Sequence, residues 1–263
     1  LINSRALIVH YNDSYYFPAL LDLLPNVSPY YPGEKFNQQV PGEADYRKLN
    51  KKWMEEKSAN WVLMPFYKSN PYEDITAENN KMYEKPSKRH WLGTDNTGRD
   101  VFARLCYAFN ISISFALLLT VLNYLIGVSI GGAMGYFGGK FDLFFQRFIE
   151  IWSSLPFLFV VIIISSILTP SFLLLIFIYT LVSWIFLTYY MRAEFYREKS
   201  KDYVSAAISM GQSNKRIIFR HILPNSLVPV ITYFPFSVVG GIAVLVSLDF
   251  LGFGLPPPTP SWG

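Results

Sequence analysis

Residues 151–191 contain no Asp, Glu, Lys or Arg, and this long apolar stretch limits the folds open to the chain. A charged side chain at the centre of a membrane span costs about 2.5–3.5 kcal/mol on insertion scales, so the absence of charge predicts membrane crossing. The sequence Thr169-Pro170-Ser171 interrupts the stretch near its middle. Each half has roughly the 20 residues that cross a bilayer. We therefore predict two membrane helices, over residues 148–168 and 172–191.

Two further uncharged stretches predict two more spans, over residues 107–135 and 224–248. Prolines at positions 156, 229 and 235 predict kinks, because proline removes a helical hydrogen bond. The predicted fold class is an all-α integral membrane protein with four visible membrane helices. Asn123, near mid-span, is predicted either to hydrogen-bond another helix or to line a pathway.

Four glycines recur every fourth residue in and just after the first predicted span. They are Gly127, Gly131, Gly135 and Gly139. Small residues at this spacing give a helix a face that a neighbouring helix can approach closely. We predict helix packing along this stripe.

The polar interval from Lys199 to Asn225 predicts a helix–turn–helix between two spans. Asp202 is a good N-cap residue, and Gly211 can end the first helix in a left-handed conformation. The second helix is predicted to start after Ser213 or Asn214 and to end at Pro224. A plain solvated loop is the alternative interpretation.

Basic residues concentrate around this interval and predict its side of the membrane. They are Arg192, Arg197, Lys199, Lys201, Lys215, Arg216 and Arg220. Loops rich in Lys and Arg stay in the cytoplasm, so the helix–turn–helix is predicted to be cytoplasmic. With four spans, residues 10–91 are then extracytoplasmic.

Residues 10–91 are charged and rich in proline and aromatic residues. So many aromatic residues argue against disorder, and we predict a small extracytoplasmic domain of irregular structure. It is predicted either to dock a soluble partner or to pack as a cap over the membrane helices. Residues 1–9 are predicted to be the end of a truncated membrane helix, and the chain is predicted to be truncated after Gly263 as well.

Residues 92–102 predict a turn that leads into the first span. Thr94 or Asp95 is predicted to cap the helix, and Thr97 with Asp100 forms a variant of the capping box.

Motifs for catalysis or metal binding are absent from this sequence. It has no GxxxxGK[ST] phosphate loop, no HExxH and no GxSxG, and its three histidines lie far apart. We therefore predict no catalytic residue, no metal site and no bound cofactor. No basic–aromatic pattern indicates nucleic acid.

Several strings resemble the inner-membrane permease subunits of dipeptide and oligopeptide ABC importers. Ala206-Ala207, Gly211 and Leu223-Pro224 resemble the EAA loop of that family, with Ser205 at the position of the usual Glu. Residues 92–101 resemble its LGTDxxGRDV signature. The strings at 135–139 and 250–254 match as well. Details such as the long insert before Leu92 are most similar to the Yej-type permease, which takes up oligopeptides and microcin C.

The resemblance implies a MetI-like permease core over residues 92–263, with a cytoplasmic EAA loop at 192–223. The implied ATPase-coupling residues are Tyr203, Ser205, Ala206, Ala207, Gly211, Leu223 and Pro224, with Ala206, Ala207 and Gly211 in the ATPase groove. The signature residues are Gly93, Thr94, Asp95, Gly98, Arg99 and Asp100.

The resemblance also implies the setting of such a subunit. It implies a multi-pass protein of the bacterial inner membrane that couples ATPase motion to peptide import and is not itself an enzyme. The implied partners are a homologous permease subunit in a heterodimer, ATPase subunits that bind ATP and Mg²⁺, a periplasmic peptide-binding protein, the peptide and membrane lipid.

Two other classes of protein remain. A secondary transporter or channel without an ATPase would often carry ionisable residues deep in its spans, and none occurs at 151–191 or 222–248. A membrane-anchored structural or signalling protein would leave the cytoplasmic helix–turn–helix unexplained.

Overall fold

The computed structural model describes residues 5–19, 30–39, 42–56, 58–67, 69–72 and 83–263. The chain divides into two compact units, Leu1–Tyr107 and Ala108–Gly263.

The first unit contains a three-stranded antiparallel sheet and one helix. The strands are β1 (Ile8–Tyr11), β2 (Ser14–Tyr16) and β3 (Trp61–Leu63), in the order β2-β1-β3. The helix α1 spans Tyr46–Glu55, and Asp45 caps it by accepting hydrogen bonds from the backbone N–H groups of Arg47 and Lys48. The prediction of an irregular domain is therefore wrong for the strands, whereas a short charged helix at residues 44–58, which the sequence also predicts, is confirmed by α1. Strands of three or four residues are too short to show an alternating pattern.

The first unit has its own hydrophobic core. Val9, Phe36, Leu49 and Trp53 are buried together, with Tyr11 stacked on Trp53 at a centroid distance of 5.5 Å. Val9 lies in a strand, so the predicted helix end at residues 1–9 is wrong there; residues 1–4 lie outside the described residues.

Six helices account for most of the remaining described chain. They are α2 (Val101–Phe137), α3 (Gly139–Ser153), α4 (Phe157–Ile167), α5 (Phe172–Lys199), α6 (Asp202–Ser209) and α7 (Asn214–Phe250). By length and composition, α2, α5 and α7 could each cross a membrane. The pair α3 and α4 could form a fourth span, bent by 68° at the break over residues 154–156.

Glycine allows α2 and α5 to approach closely. A Cβ at Gly131 would lie 2.3 Å from the carbonyl oxygen of Thr188, and one at Gly135 would lie 2.6 Å from that of Arg192. At Gly127 a Cβ would lie 2.9 Å from the Cβ of Leu187. The two carbonyl oxygens belong to the backbone, and the backbone also fixes the Cβ of Leu187, so turning a side chain relieves none of these contacts. These three glycines therefore lie where α5 excludes any larger residue.

Gly139 was wrongly placed in this stripe. A Cβ there would meet no atom within 4 Å, and the residue begins α3 after the turn at Gly138. α2 ends at Phe137, so the last glycine of the four-residue repeat lies beyond the helix. It cannot share a helical face with the other three.

Pro224 does not end a helix as predicted. α7 continues from Asn214 to Phe250, and a π-helical turn at Ile217–Ile222 comes directly before Leu223 and Pro224. The backbone N–H of Leu223 reaches back five residues to the carbonyl of Ile218. Proline lacks an N–H and its ring crowds the preceding turn. The wider π turn lets the helix pass through this point.

We predict that Gly131→Ala lowers the thermal unfolding midpoint of the detergent-solubilised permease. Overpacking of this kind costs about 1–3 kcal/mol. The matched control is Gly240→Ala in α7, where a Cβ meets no atom within 4 Å. That substitution should leave the midpoint unchanged or raise it, because alanine favours helix. Equal midpoints for the two variants would contradict the assigned α2–α5 contact.

Candidate coupling loop

The short helix α6 packs one side against the rest of its own unit. Val204 and Ala207 are buried, at 0% and 1% exposure. They join a hydrophobic cluster with Phe195 of α5 and with Ile217 and Ile222 of α7. The position of α6 is therefore fixed by apolar contacts to the helices on both sides of it in sequence.

The opposite side of α6 is exposed. Ser205 and Ala206 are exposed there, and Ile208 and Met210 retain 53% and 70% of their accessible surface. Ala207 is buried within the chain, so its side chain lies on the inner side of α6 and not on the exposed side with Ala206. The two adjacent alanines differ because successive residues on a helix point about 100° apart.

Gly211 makes the turn between α6 and α7. Its φ of +71° lies in the left-handed region, which glycine adopts without steric cost. A Cβ there would meet no atom within 4 Å, so backbone conformation and not crowding favours glycine at this position.

A buried carboxylate ties α5 to α6. Glu198 is 2% exposed, and its Oε1 accepts from the Lys201 ammonium at 2.7 Å. Its Oε2 accepts from the Tyr203 hydroxyl at 2.8 Å. Asn225 of α7 donates to the same hydroxyl at 3.3 Å. Burial and the bond to Glu198 raise the pKa of Tyr203.

The first turns of α7 are tied back to the loop as well. The side chains of His221 and Gln212 are hydrogen-bonded at 2.8 Å, between ring Nε2 and amide oxygen. Leu223 packs against the cluster under α6, whereas Pro224 is exposed. Of the predicted coupling residues, the structure thus brings together Tyr203, Ala207 and Leu223 on the inner side of the loop.

An ion pair joins the start of α3 to α5. The guanidinium of Arg192 donates to both oxygens of Asp142, at 2.5 and 2.7 Å, and the Tyr196 hydroxyl donates to the same carboxylate at 2.9 Å. Nearby, Lys199 donates to the carbonyl oxygen of Tyr136 at 2.6 Å. These contacts connect the base of the loop to α2 and α3.

Sequence reasoning missed Val204, Glu198 and Asn225 as members of this site. The spacing of Glu198 and Lys201, three residues apart around a helix end, is visible in the sequence and could have indicated the pair. No residue near Asn225 in the sequence indicates its role, because its hydrogen-bond partner Tyr203 lies 22 positions earlier.

The signature residues form a tight loop in the first unit. The side chain of Asp95 accepts from the N–H groups of Thr97 and Arg99, both at 2.9 Å. Burial alone would raise the pKa of Asp95, but these bonds and the Arg104 charge hold it below its usual value. A Cβ at Gly93 would lie 2.5 Å from the carbonyl oxygen of Glu84, and the Thr94 hydroxyl accepts from the N–H of Glu84 at 2.7 Å.

Asp100 is the residue that caps α2, so the predicted caps at Thr94 or Asp95 are wrong. Its Oδ1 accepts from the backbone N–H of Ala103 at 2.8 Å. Its Oδ2 lies 2.6 Å from both the Tyr67 hydroxyl and Nδ1 of His90, and all three side chains are buried. Two side chains, one 33 and one 10 positions earlier in the sequence, therefore decide which carboxylate becomes the cap.

Asn123, the polar residue singled out in the first span, bonds to a neighbouring helix. Ser183 of α5 donates to the side-chain oxygen of Asn123 at 2.8 Å, the interhelical bond that was one of the two predictions for Asn123. Among the described residues no group of three His, Cys, Asp or Glu side chains could hold a metal. The loop therefore offers a mechanical link between helices and an exposed small-residue surface.

Residues 127–263 match the family model described as "Binding-protein-dependent transport system inner membrane component". The chain is 41% identical over its whole length to the inner membrane ABC transporter permease protein YejE of Escherichia coli (strain K12), of which it covers 74%. It is 52% identical over 66% of its length to the peptidoglycan transport system permease protein YejE of Agrobacterium fabrum, of which it covers 46%. It is 34% identical over 77% of its length to the dipeptide transport system permease protein DppC of Bacillus subtilis, of which it covers 62%.

The chain belongs to the family of inner membrane components of binding-protein-dependent transport systems. It is accordingly a multi-pass protein of the inner membrane and a subunit of a transporter, not an enzyme. The resemblance to peptide ABC importer permeases found in the sequence is confirmed.

We predict that Tyr203→Phe loosens α6. The substitution removes the hydroxyl that Glu198 and Asn225 share, and a buried acceptor left unpaired costs about 1–3 kcal/mol. Limited proteolysis between α5 and α7 should become faster, and the thermal unfolding midpoint should fall. Tyr15→Phe is a control, because Tyr15 is 60% exposed on β2. Equal cleavage rates in the two variants would contradict a stabilising role for the Tyr203 hydroxyl.

We predict a larger loss of stability for Asp100→Ala than for Asp95→Ala. Loss of the cap costs about 1 kcal/mol, and the loss of an acceptor for the buried His90 ring costs about 1–3 kcal/mol more, while Tyr67 keeps only its longer contact to the carbonyl oxygen of Arg89. Asp95 is only partly buried, so its loss should cost less. Asp100→Asn keeps one acceptor oxygen and should be intermediate. Thermal unfolding of the three variants measures this order, and a larger loss for Asp95→Ala would reverse the assignment.

Proposed function

We propose that this chain is a permease subunit of an ATP-driven peptide importer, with α6 as the helix that receives motion from an ATPase subunit. The observation that carries the proposal is the two-sided character of α6. Its inner side is held by Val204 and Ala207, and its outer side exposes small and apolar residues. A coupling helix transmits the motion of a partner to the membrane helices only if one side is packed against those helices and the other side is exposed to the partner.

The peptide substrate is supported by the names of the relatives. They include a dipeptide permease and an oligopeptide permease of Bacillus subtilis and a peptidoglycan transport permease of Agrobacterium fabrum. Peptides are the chemistry common to these substrates. Peptide antibiotics such as microcin C are a narrower candidate that an uptake assay can include.

The proposed assembly contains subunits beyond this chain. A homologous permease would complete the pathway as a heterodimer, a periplasmic binding protein would deliver the peptide, and ATP and Mg²⁺ would bind on separate ATPase subunits. The concentration of Lys and Arg around α6 supports a cytoplasmic position for the loop, by the positive-inside rule. Residues 10–91 would then lie on the extracytoplasmic side.

Motion would enter the spans through three contacts. Displacement of α6 acts on α5 through Glu198, on α7 through Asn225, and on both through the cluster around Phe195. The docking surface comprises the exposed side chains of Ser205, Ala206, Ile208 and Met210, with Gly211 at its end. Interfaces of this kind gain most of their affinity from buried apolar anchors.

We predict that Met210→Asp and Ile208→Asp each weaken retention of the ATPase at least tenfold, since a carboxylate would be buried at an apolar contact. The full-length permease is co-expressed with its partner permease and ATPase, and the complex is captured in detergent. Peptide-stimulated ATP hydrolysis in proteoliposomes should fall in parallel.

The matched control is Met54→Asp. Met54 is 72% exposed on α1 and Met210 is 70% exposed, so both accept a charge without unfolding the chain. Met54→Asp should retain the ATPase. Retention by all three variants would refute α6 docking, and a native permease that never captures an ATPase would refute the importer assignment itself.

A further inference from the structure

Three cations at the start of α7 have no ion-pair partner among the described residues. They are Lys215, Arg216 and Arg220, and all three are exposed. Neighbouring cations are different, since Arg192 pairs with Asp142 and Lys201 with Glu198. The basic charge around the loop thus divides into a set neutralised inside the chain and a set available to an anion from outside.

The same face of α7 becomes apolar where the uncharged stretch begins. Val228, Ile231 and Val239 follow at helical spacing, with exposures of 66%, 65% and 64%. Arg220 is the last charged residue before the uncharged stretch from His221 to Leu248. The exposed surface of one helix therefore passes from three cations to a continuous apolar stripe.

The length of α7 fits a position of these cations at the membrane surface. Its 37 residues extend over about 55 Å, whereas the hydrocarbon of a bilayer is about 30 Å thick. The excess lies on the N-terminal side, because the apolar stretch occupies the rest of the helix. Arginine and lysine have stems long enough to place their charges among the headgroups while their backbone lies nearby.

We propose that Lys215, Arg216 and Arg220 bind the phosphate of an anionic phospholipid whose acyl chains lie along the apolar stripe of α7. An acidic protein surface would match the charges alone. A phospholipid matches both the charges and the apolar surface that continues from them. This site is distinct from α6 docking and does not depend on the proposed ATPase partner.

Each cation near an anionic bilayer strengthens the interaction about fivefold, so three together give on the order of a hundredfold preference. The test uses the full-length permease with its partner subunits in detergent micelles. Binding of headgroup-labelled phosphatidylglycerol is compared with that of phosphatidylcholine by fluorescence. The variants are Lys215→Gln/Arg216→Gln/Arg220→Gln, the control Lys48→Gln/Lys51→Gln/Lys52→Gln on α1, and the charge-conserving Arg216→Lys/Arg220→Lys.

The native complex should prefer phosphatidylglycerol, and the preference should fall by ten- to a hundredfold in the first variant only. Inorganic phosphate should not compete, because it lacks the acyl chains. Retention of the preference in the first variant would overturn the proposal. An equal loss in the α1 control would also overturn it, since net charge alone would then explain the result. So would loss of ATPase capture with lipid preference unchanged, which would assign the three cations to a protein partner.

Discussion

The close contact between α2 and α5 determines where the candidate coupling loop lies. With glycine at 131 and 135, the backbone of α5 lies against α2, and Phe195 lies at the end of that contact. Phe195 belongs to the hydrophobic cluster in which Val204 and Ala207 of α6 are buried. Larger residues at the two glycines would move α5 outwards and remove Phe195 from this cluster. The orientation of α6, about seventy residues further along the chain, therefore depends on the absence of two side chains.

Polar contacts around the loop restrict α6 in directions that apolar packing leaves free. The cluster around Phe195 resists separation, but apolar contact is not directional and allows a helix to slide. Glu198, Tyr203 and Asn225 supply directional bonds that connect α5, α6 and α7. The Asp142–Arg192 pair fixes the start of α3 to the same region of α5. A displacement of α6 is then shared by several helices instead of being absorbed within the loop.

Much of this arrangement follows from local sequence, and the exceptions have physical reasons. The absence of charge predicts the long helices, and Gly211 predicts the turn. Both predictions succeed because each signal depends only on a residue and its near neighbours in sequence. Asp100 was missed as a cap because its selection depends on Tyr67 and His90, which folding brings to it. The sequence predicts a helix end at Pro224 because the π turn that accommodates this proline has no sequence signal. The repeat at Gly139 failed because a spacing cannot show that a helix has already ended.

The adjacent residues Ala206 and Ala207 belong to one sequence motif but lie in different environments. Both positions suit a small residue, but the two constraints come from opposite directions. Ala207 is enclosed by the chain's own α5 and α7, where a longer side chain would push α6 away. Ala206 is exposed, so its size matters only to a partner that approaches closely. A substitution at Ala207 therefore changes the free energy of unfolding, whereas one at Ala206 would change the free energy of association with the proposed partner. An assay that measures only uptake would report both as the same defect, although one lies in the fold and the other at the proposed docking surface.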